Sequence, residues 1–207
     1  MDHQNYLLTY YQGLAQKLIS GDISAEQFAG ELTQIHLAME KRVYQDGLAA
    51  GFLNNLGFTN FLERELRVIK RIPQLAGVLL ALDIDHLKQF NDTLGHIAGD
   101  KLIQLYAKVM ARHIRESDLK GRLGGDEFAV FLIGSNLENA KVVAERIRAD
   151  IIEEVKKNFP QLPWEQTISI GIAQVKADDT AEPLRLRADD ALYEAKKEKN
   201  KVVVAGN

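Results

Sequence analysis

The 207-residue chain contains no cysteine, which excludes disulfides, thiolate zinc sites and cysteine nucleophiles. No apolar run reaches the roughly 18 residues expected of a membrane-spanning helix. The N-terminus, MDHQNYLLTYYQG, lacks the charged-then-apolar pattern of an export signal. The expectation is a cytoplasmic protein without a membrane span. Charge of one sign is also lacking: 26 Lys and Arg against 29 Asp and Glu leave a net charge of -3. That balance gives no basic surface for nucleic acid, and a polyanionic ligand would need local cations or a metal ion. Internal repeats and low-complexity tracts are missing too. What is present is a composition 46% apolar, enough for one globular domain with a small extension.

The first 46 residues read as a helical extension. Tyr6, Leu7, Tyr10, Leu14 and Leu18 recur at helical spacing until Gly21-Asp22 interrupts them. Ser24 and Gln27 form a capping-box pattern, and a second stripe follows at Phe28, Leu32, Ile35, Met39 and Val43. Two amphipathic helices are predicted. Their apolar faces pack on the main domain, or serve dimerisation or signal input. Residues 47–207 then alternate helix and strand. Helices are predicted over Phe58–Arg71, Ile97–Ile114, Asn136–Lys157 and Glu182–Lys199. Strands are predicted over Ala76–Asp83, Lys120–Leu123, Glu127–Ile133 and Thr167–Val175, with Lys201–Ala205 as a last edge strand. The fold class is α/β, a central mixed sheet flanked by helices.

Chemistry concentrates at two places. Asp83 stands where an apolar strand runs out, the position at which ligands gather in open α/β sheets. Such a carboxylate is either solvated or holding a cation. Downstream, Gly124-Gly125-Asp126-Glu127-Phe128 places two glycines between strand-like segments. This suits a tight hairpin with positive φ, and it lets a bulky ligand approach the backbone. Adjacent strand residues point to opposite faces, so Asp126 and Glu127 share a pocket only if the turn twists them together.

Together the two places read Asp83-Ile84-Asp85-His86-Leu87-Lys88, then Asn91-Asp92, Gly95-His96, Gly99-Asp100, then Gly-Gly-Asp-Glu-Phe. This resembles the GGDEF family of diguanylate cyclases over roughly residues 47 to 204. The family pattern is D-x-D-x-F-K-x-x-N-D-x-x-G-H-x-x-G-D followed by GG[DE]EF, and Leu87 replaces its Phe. The resemblance implies a nucleotidyl-cyclase, palm-like fold. It also implies attack of a ribose 3′-hydroxyl on the α-phosphate of a second GTP, pyrophosphate leaving, to give cyclic di-GMP. Asp83, Asp126 and the Ile84 carbonyl would hold Mg²⁺, or Mn²⁺ in its place. Glu127 would be a second metal ligand or the proton acceptor, and the general base is either Asp126 or Glu127. Asn91 and Asp100 would read the guanine edge, whose N1–H and N2–H₂ suit carboxylate and amide acceptors. Gly124 and Gly125 would give access to the substrate. Amides near His86, Leu87 and Lys88, with Lys196 and Lys199, would bind phosphates. Without the family frame, Asn91 and Asp100 would be capping or turn residues, and Lys196 part of a charged helix face.

Regulation and assembly follow from the same resemblance. Arg115-Glu-Ser-Asp118 matches the family's product-inhibition site, with Arg146 contacting product from a neighbouring domain; a plain ion pair is the alternative. Two domains must face each other to make the product, so a homodimer is expected. The chain departs from the family twice. The segment Asp190-Ala-Leu-Tyr193-Glu-Ala-Lys196 resembles D-x-A-L-Y-x-A-K, but the following x-x-G-[RK]-N is one residue short and lacks its Gly; Lys199 takes the basic position. The entrance motif D-x-L-T-G-L-x-N-R keeps Gly51 and Asn54 but replaces its Asp, Thr and Arg. A catalytically silent module sensing GTP or cyclic di-GMP is therefore the alternative function.

Overall fold

The computed structural model describes residues 16, 17, 19–24, 27, 44–72 and 76–206. The chain divides into two compact units, Met1–Val43 and Tyr44–Asn207. Both predicted apolar stripes of the extension lie outside the described residues. The turn between them does not. Gly21 adopts a left-handed conformation with φ 81°. The Asp22 amide donates to the Lys17 carbonyl at 2.9 Å, closing the preceding turn. The capping box forms as predicted: the Ser24 amide donates to Gln27 Oε1 at 2.8 Å, and the Gln27 amide donates to Ser24 Oγ at 3.1 Å.

The larger unit runs α1 (Asn55–Arg71), β1 (Gly77–Ile84), α2 (Leu87–Leu94), α3 (His96–His113), β2 (Leu119–Arg122), β3 (Glu127–Ile133), α4 (Leu137–Asn158), β4 (Ile168–Gln174), α5 (Ala181–Glu198) and β5 (Val202–Val204). The sheet order is β2-β3-β1-β4-β5, with β1 in the centre. Antiparallel ladders join β1 to β3 and β4 and β2 to β3, while β5 runs parallel to β4. This is the mixed α/β sheet expected from the apolar runs.

Strand alternation sorts β1 into two faces. Val78, Leu80, Leu82 and Ile84 join the core built with Leu102, Tyr106, Met110, Ile147 and Ile151 from α3 and α4. Leu79 and Ala81 face Phe58, Leu62 and Leu66 of α1 and Leu184 and Ala188 of α5. Side chains fix where α1 and α4 start. Asn54 accepts from the Gly57 amide and Asn136 from the Asn139 amide, both at 2.9 Å. Helix α2 was not predicted. It starts at His86, left-handed at φ 58°, with no side-chain cap.

Candidate active site

Because β1 is central, its C-terminal end is where the acids meet. Asp83 lies directly opposite Glu127 in the β1–β3 register. The Ile84 amide donates to the Asp126 carbonyl at 3.1 Å, tying the loop acid to the same strand end. Asp83, Asp126 and Glu127 are thus one electrostatic group. Burial raises the Asp83 carboxyl to about 6; Lys196, paired with it, pulls the other way, and the charges of Asp126 and Glu127 add to the rise. Lys196 reaches Asp83 from the last turns of α5.

The Gly-Gly segment differs from its expected geometry. Neither Gly124 nor Gly125 has positive φ. Four residues, Leu123 to Asp126, join β2 to β3. A connection of that length spreads the reversal, and no residue needs the left-handed region. A Cβ at Gly124 would stand 2.9 Å from Glu127 Oε2, so a side chain there would displace the end of the Glu127 carboxylate. Gly125 has open space at its Cβ position, and its carbonyl accepts from Arg122 Nη2 at 2.8 Å and Nε at 3.2 Å.

Arg122 also corrects the entrance motif. Its Nη1 lies 3.3 Å from both oxygens of Asp46. Asp46 in turn accepts the Leu48 and Ala49 amides at 2.9 and 2.6 Å. Burial pushes the Asp46 carboxyl up, but these amides and Arg122 outweigh it and hold it below the usual range. An entrance acid is therefore present one residue upstream of Gly47. It ties the entrance loop to the Gly125 turn.

Around the corner, α2 and α3 hold the residues expected to read the base. Gly95 joins them at φ 85° and ψ 159°, a conformation essentially confined to glycine. Neither Asn91 nor Asp100 caps a helix. Asn91 lies against Gly99, and its Oδ1 is buried without a hydrogen-bond partner among the described residues. A buried orphan acceptor costs on the order of 1–3 kcal/mol and calls for a ligand or another explanation. Asp100 is exposed on α3 beside Gly99. His86 and Lys88 are exposed at the start of α2, and Leu87 is buried beneath them. Lys199 Nζ stands 3.0 Å from His86 Nε2, so the end of α5 meets the start of α2.

The acid of the α5 motif also moves by one residue. Asp189, not Asp190, stands two residues before Ala191 as D-x-A-L-Y requires. Asp189 lines a narrow space of about 90 Å³ with Glu127 and Arg185. Burial raises its carboxyl, Arg185 opposes, and Glu127 and Asp190 add to the rise.

The Arg115–Asp118 segment forms a separate depression of about 80 Å³, shared with His113, Ile133 and Asn139. No ion pair joins Arg115 to Asp118 among the described residues. Asp118 is buried and accepts from the Arg115 amide at 3.1 Å and the Ile133 amide at 3.0 Å. It shapes the loop, while the Arg115 side chain remains exposed. Arg146 is exposed on α4, outside this depression. Among the described residues no helix is long and apolar enough to cross a membrane. Nor do three acidic or histidine side chains there enclose a metal site by themselves.

Known proteins resemble the chain over most of its length. Residues 43–201 match the family model described as diguanylate cyclase, GGDEF domain. The probable diguanylate cyclase DgcT of Escherichia coli is 41% identical over 158 residues, 73% of this chain and 34% of that protein. Diguanylate cyclase DgcP of Pseudomonas aeruginosa is 33% identical over 197 residues, 95% of this chain and 28% of that protein. The coiled coil and GGDEF domain of DgcB from Caulobacter crescentus, solved with bound c-di-GMP, superposes with a TM-score of 0.78 at 28% identity. That match covers 93% of this chain and 99% of the other. The chain belongs to the GGDEF-domain diguanylate cyclase family. It spans about a third of the length of the curated relatives it matches.

Proposed function

We propose that the chain condenses two GTP molecules into cyclic di-GMP and two pyrophosphates. The observation that carries this reading is the Asp83–Glu127 register, with Asp126 held at the same strand end. The donor set suits Mg²⁺ or Mn²⁺: hard carboxylate oxygens of Asp83 and Asp126, the Ile84 carbonyl, and Glu127 nearby. Too few side chains converge to cage an ion alone, which matches a cation shared with substrate phosphates. When bound, the cation neutralises the triphosphate and lowers the pKa of the attacking hydroxyl.

The chain's own residues do the rest. Asn91 and Asp100 hold the guanine edge, with the orphan Asn91 Oδ1 as acceptor. Lys196, Lys199 and the amides at the start of α2 hold the β- and γ-phosphates. Gly125 leaves its turn open to the incoming nucleotide. The 3′-oxygen of one GTP attacks the α-phosphorus of the other; the P–O bond to pyrophosphate breaks, and the proton passes to Asp126 or Glu127. Repeating the attack in the opposite sense closes the ring. Each chain presents one nucleotide, so two chains face each other across the site as a homodimer.

Purified chain given GTP and Mg²⁺ is expected to release cyclic di-GMP and pyrophosphate, with specific activity rising as protein concentration rises. No product at high protein concentration, after bound cyclic di-GMP has been stripped, sinks the reading. GTP binding without turnover would select the silent-sensor alternative.

Product inhibition is proposed at Arg115, with Arg146 supplied by a neighbouring domain. Because Asp118 is spent on backbone amides, the guanidinium of Arg115 is the recognising group. Arg115→Ala is expected to weaken cyclic di-GMP affinity by at least about tenfold, the value of one charge-assisted contact. Calorimetry with cyclic di-GMP checks it, and unchanged affinity rules the site out.

A further inference from the structure

Asp85 lies two residues beyond Asp83 and is completely buried. Its carboxylate has no cationic side chain among its described partners. It accepts instead from Thr167 Oγ1 at 2.7 Å, Ser169 Oγ at 2.9 Å and the Asn200 amide at 3.0 Å. The Asp85 amide donates to the Thr167 carbonyl at 2.9 Å, and its carbonyl accepts from the Gln166 side chain. A buried carboxylate without donors costs several kcal/mol, so a full set of donors is what allows one here. Thr167 and Ser169 belong to β4 or its entry, beside β1. The Asn200 amide comes from a turn at the far end of the chain.

That turn is strained. Helix α5 stops at Glu198; Lys199 takes φ 59° and ψ 169°, a backbone region otherwise confined to glycine, and Asn200 follows at φ 49°. Neither is glycine, so both backbones are strained, Lys199 more than Asn200. The Lys199 amide donates to the Ala195 carbonyl at 2.9 Å, and contacts from outside α5 hold Asn200. Asp85 accepts the Asn200 amide, and Arg148 Nη1 donates to Asn200 Oδ1 at 2.8 Å. Cations flank the turn: Lys199 meets His86, and Lys196, on the last turn of α5, meets Asp83.

We propose that Asp85 is the positioning residue of the phosphate clamp: it anchors the positive-φ Lys199–Asn200 turn through the Asn200 amide and so fixes Lys196 and Lys199 over the end of β1 and the start of α2. The inference rests on the GTP reading above. It explains how the chain works without a glycine at this turn.

The test uses the full chain and the α,β-methylene analogue of GTP with Mg²⁺, binding read by calorimetry. Asp85→Asn is expected to weaken analogue binding about tenfold and to raise KM for GTP about tenfold, with kcat within about threefold. The Asn200 amide proton, shifted downfield by its charge-assisted bond, is expected to move upfield in the variant. Thr167→Val serves if Asp85→Asn does not fold, because it removes one donor and keeps the carboxylate. Its expected loss is about threefold in analogue affinity, again with an upfield move at Asn200. A lowered melting temperature with KM, analogue affinity and the Asn200 resonance unchanged, in whichever variant folds, overturns the role of Asp85. Failure of the wild-type chain to bind the analogue overturns the GTP reading itself, and the proposal with it.

Discussion

Asp83→Asn is expected to abolish synthesis and at the same time to stabilise the metal-free chain. The two effects share one cause. Burial raises the Asp83 carboxyl to about 6 from an ordinary 3.8, Lys196 only partly offsets it, and Asp126 and Glu127 push it further up. A carboxyl raised in the fold contributes its stability below pH 3.8 and loses it as pH rises through about 6. At neutral pH the ionised group therefore works against the fold, and the neutral amide removes that cost. Lys196 loses its partner, but its side chain is 31% exposed and water can replace the contact. A rise in Tm of about 2–4 °C, corresponding to about 1 kcal/mol for a chain of this size, is expected in EDTA. The Tm should also vary less with pH between about 4 and 6. Synthesis is expected to fall by about a thousandfold or more, about 4 kcal/mol, if Asp83 holds the cation as proposed. Thermal unfolding in EDTA and the turnover assay check both halves. A variant that is less stable, or that keeps a tenth of its activity, contradicts this account of the strand end. An acid that destabilises its own fold is what a site held for function looks like.

Much of this was legible in the sequence because the signals were local. The apolar run ending at Asp83 announced β1, and the Gly-Gly-Asp-Glu-Phe segment announced the β2–β3 reversal. The capping pair Ser24 and Gln27 also formed as written. What escaped depends on partners far away in the chain. Asp85 was legible only as the second acid of the D-x-D pattern, with no role, since Thr167, Ser169 and Asn200 lie 82, 84 and 115 residues beyond it. Helix α2 has eight residues and starts on a left-handed histidine, so none of the usual start signals mark it. The entrance acid was masked by a one-residue shift: only its bonds to Arg122, Leu48 and Ala49 show that Asp46 serves there. The Gly-Gly turn shows the reverse error. Positive φ was inferred from residue type, but loop length decided the backbone, and a side chain at Gly124 would meet only the end of Glu127.

Space also governs the second large effect, at Gly99. A Cβ built there would stand 1.8 Å from Asn91 Oδ1 and 2.9 Å from its Cγ. No side-chain adjustment short of expelling the Asn91 amide relieves such an overlap. Helix propensity runs the other way, because alanine improves the interior of α3 by up to about 1 kcal/mol. Gly99→Ala is therefore expected to fold and yet to lose about a hundredfold in kcat/KM for GTP, about 2.7 kcal/mol. Base selection gives the sharper readout. Inosine triphosphate lacks the 2-amino group that the guanine edge presents. The wild-type chain is expected to prefer GTP over it by about tenfold or more, because a polar site left unpaired rejects strongly. In Gly99→Ala that preference is expected to shrink to about threefold, as only Asp100 remains to read the edge. A variant that keeps both its rate and its preference would remove Asn91 from base recognition and leave its buried oxygen without a purpose. Loss of rate with the preference intact would instead place the damage along α3, away from both base-reading side chains. On the proposed reading of the base, the orphan oxygen and Gly99 form one device, in which the small residue leaves room for the Asn91 amide.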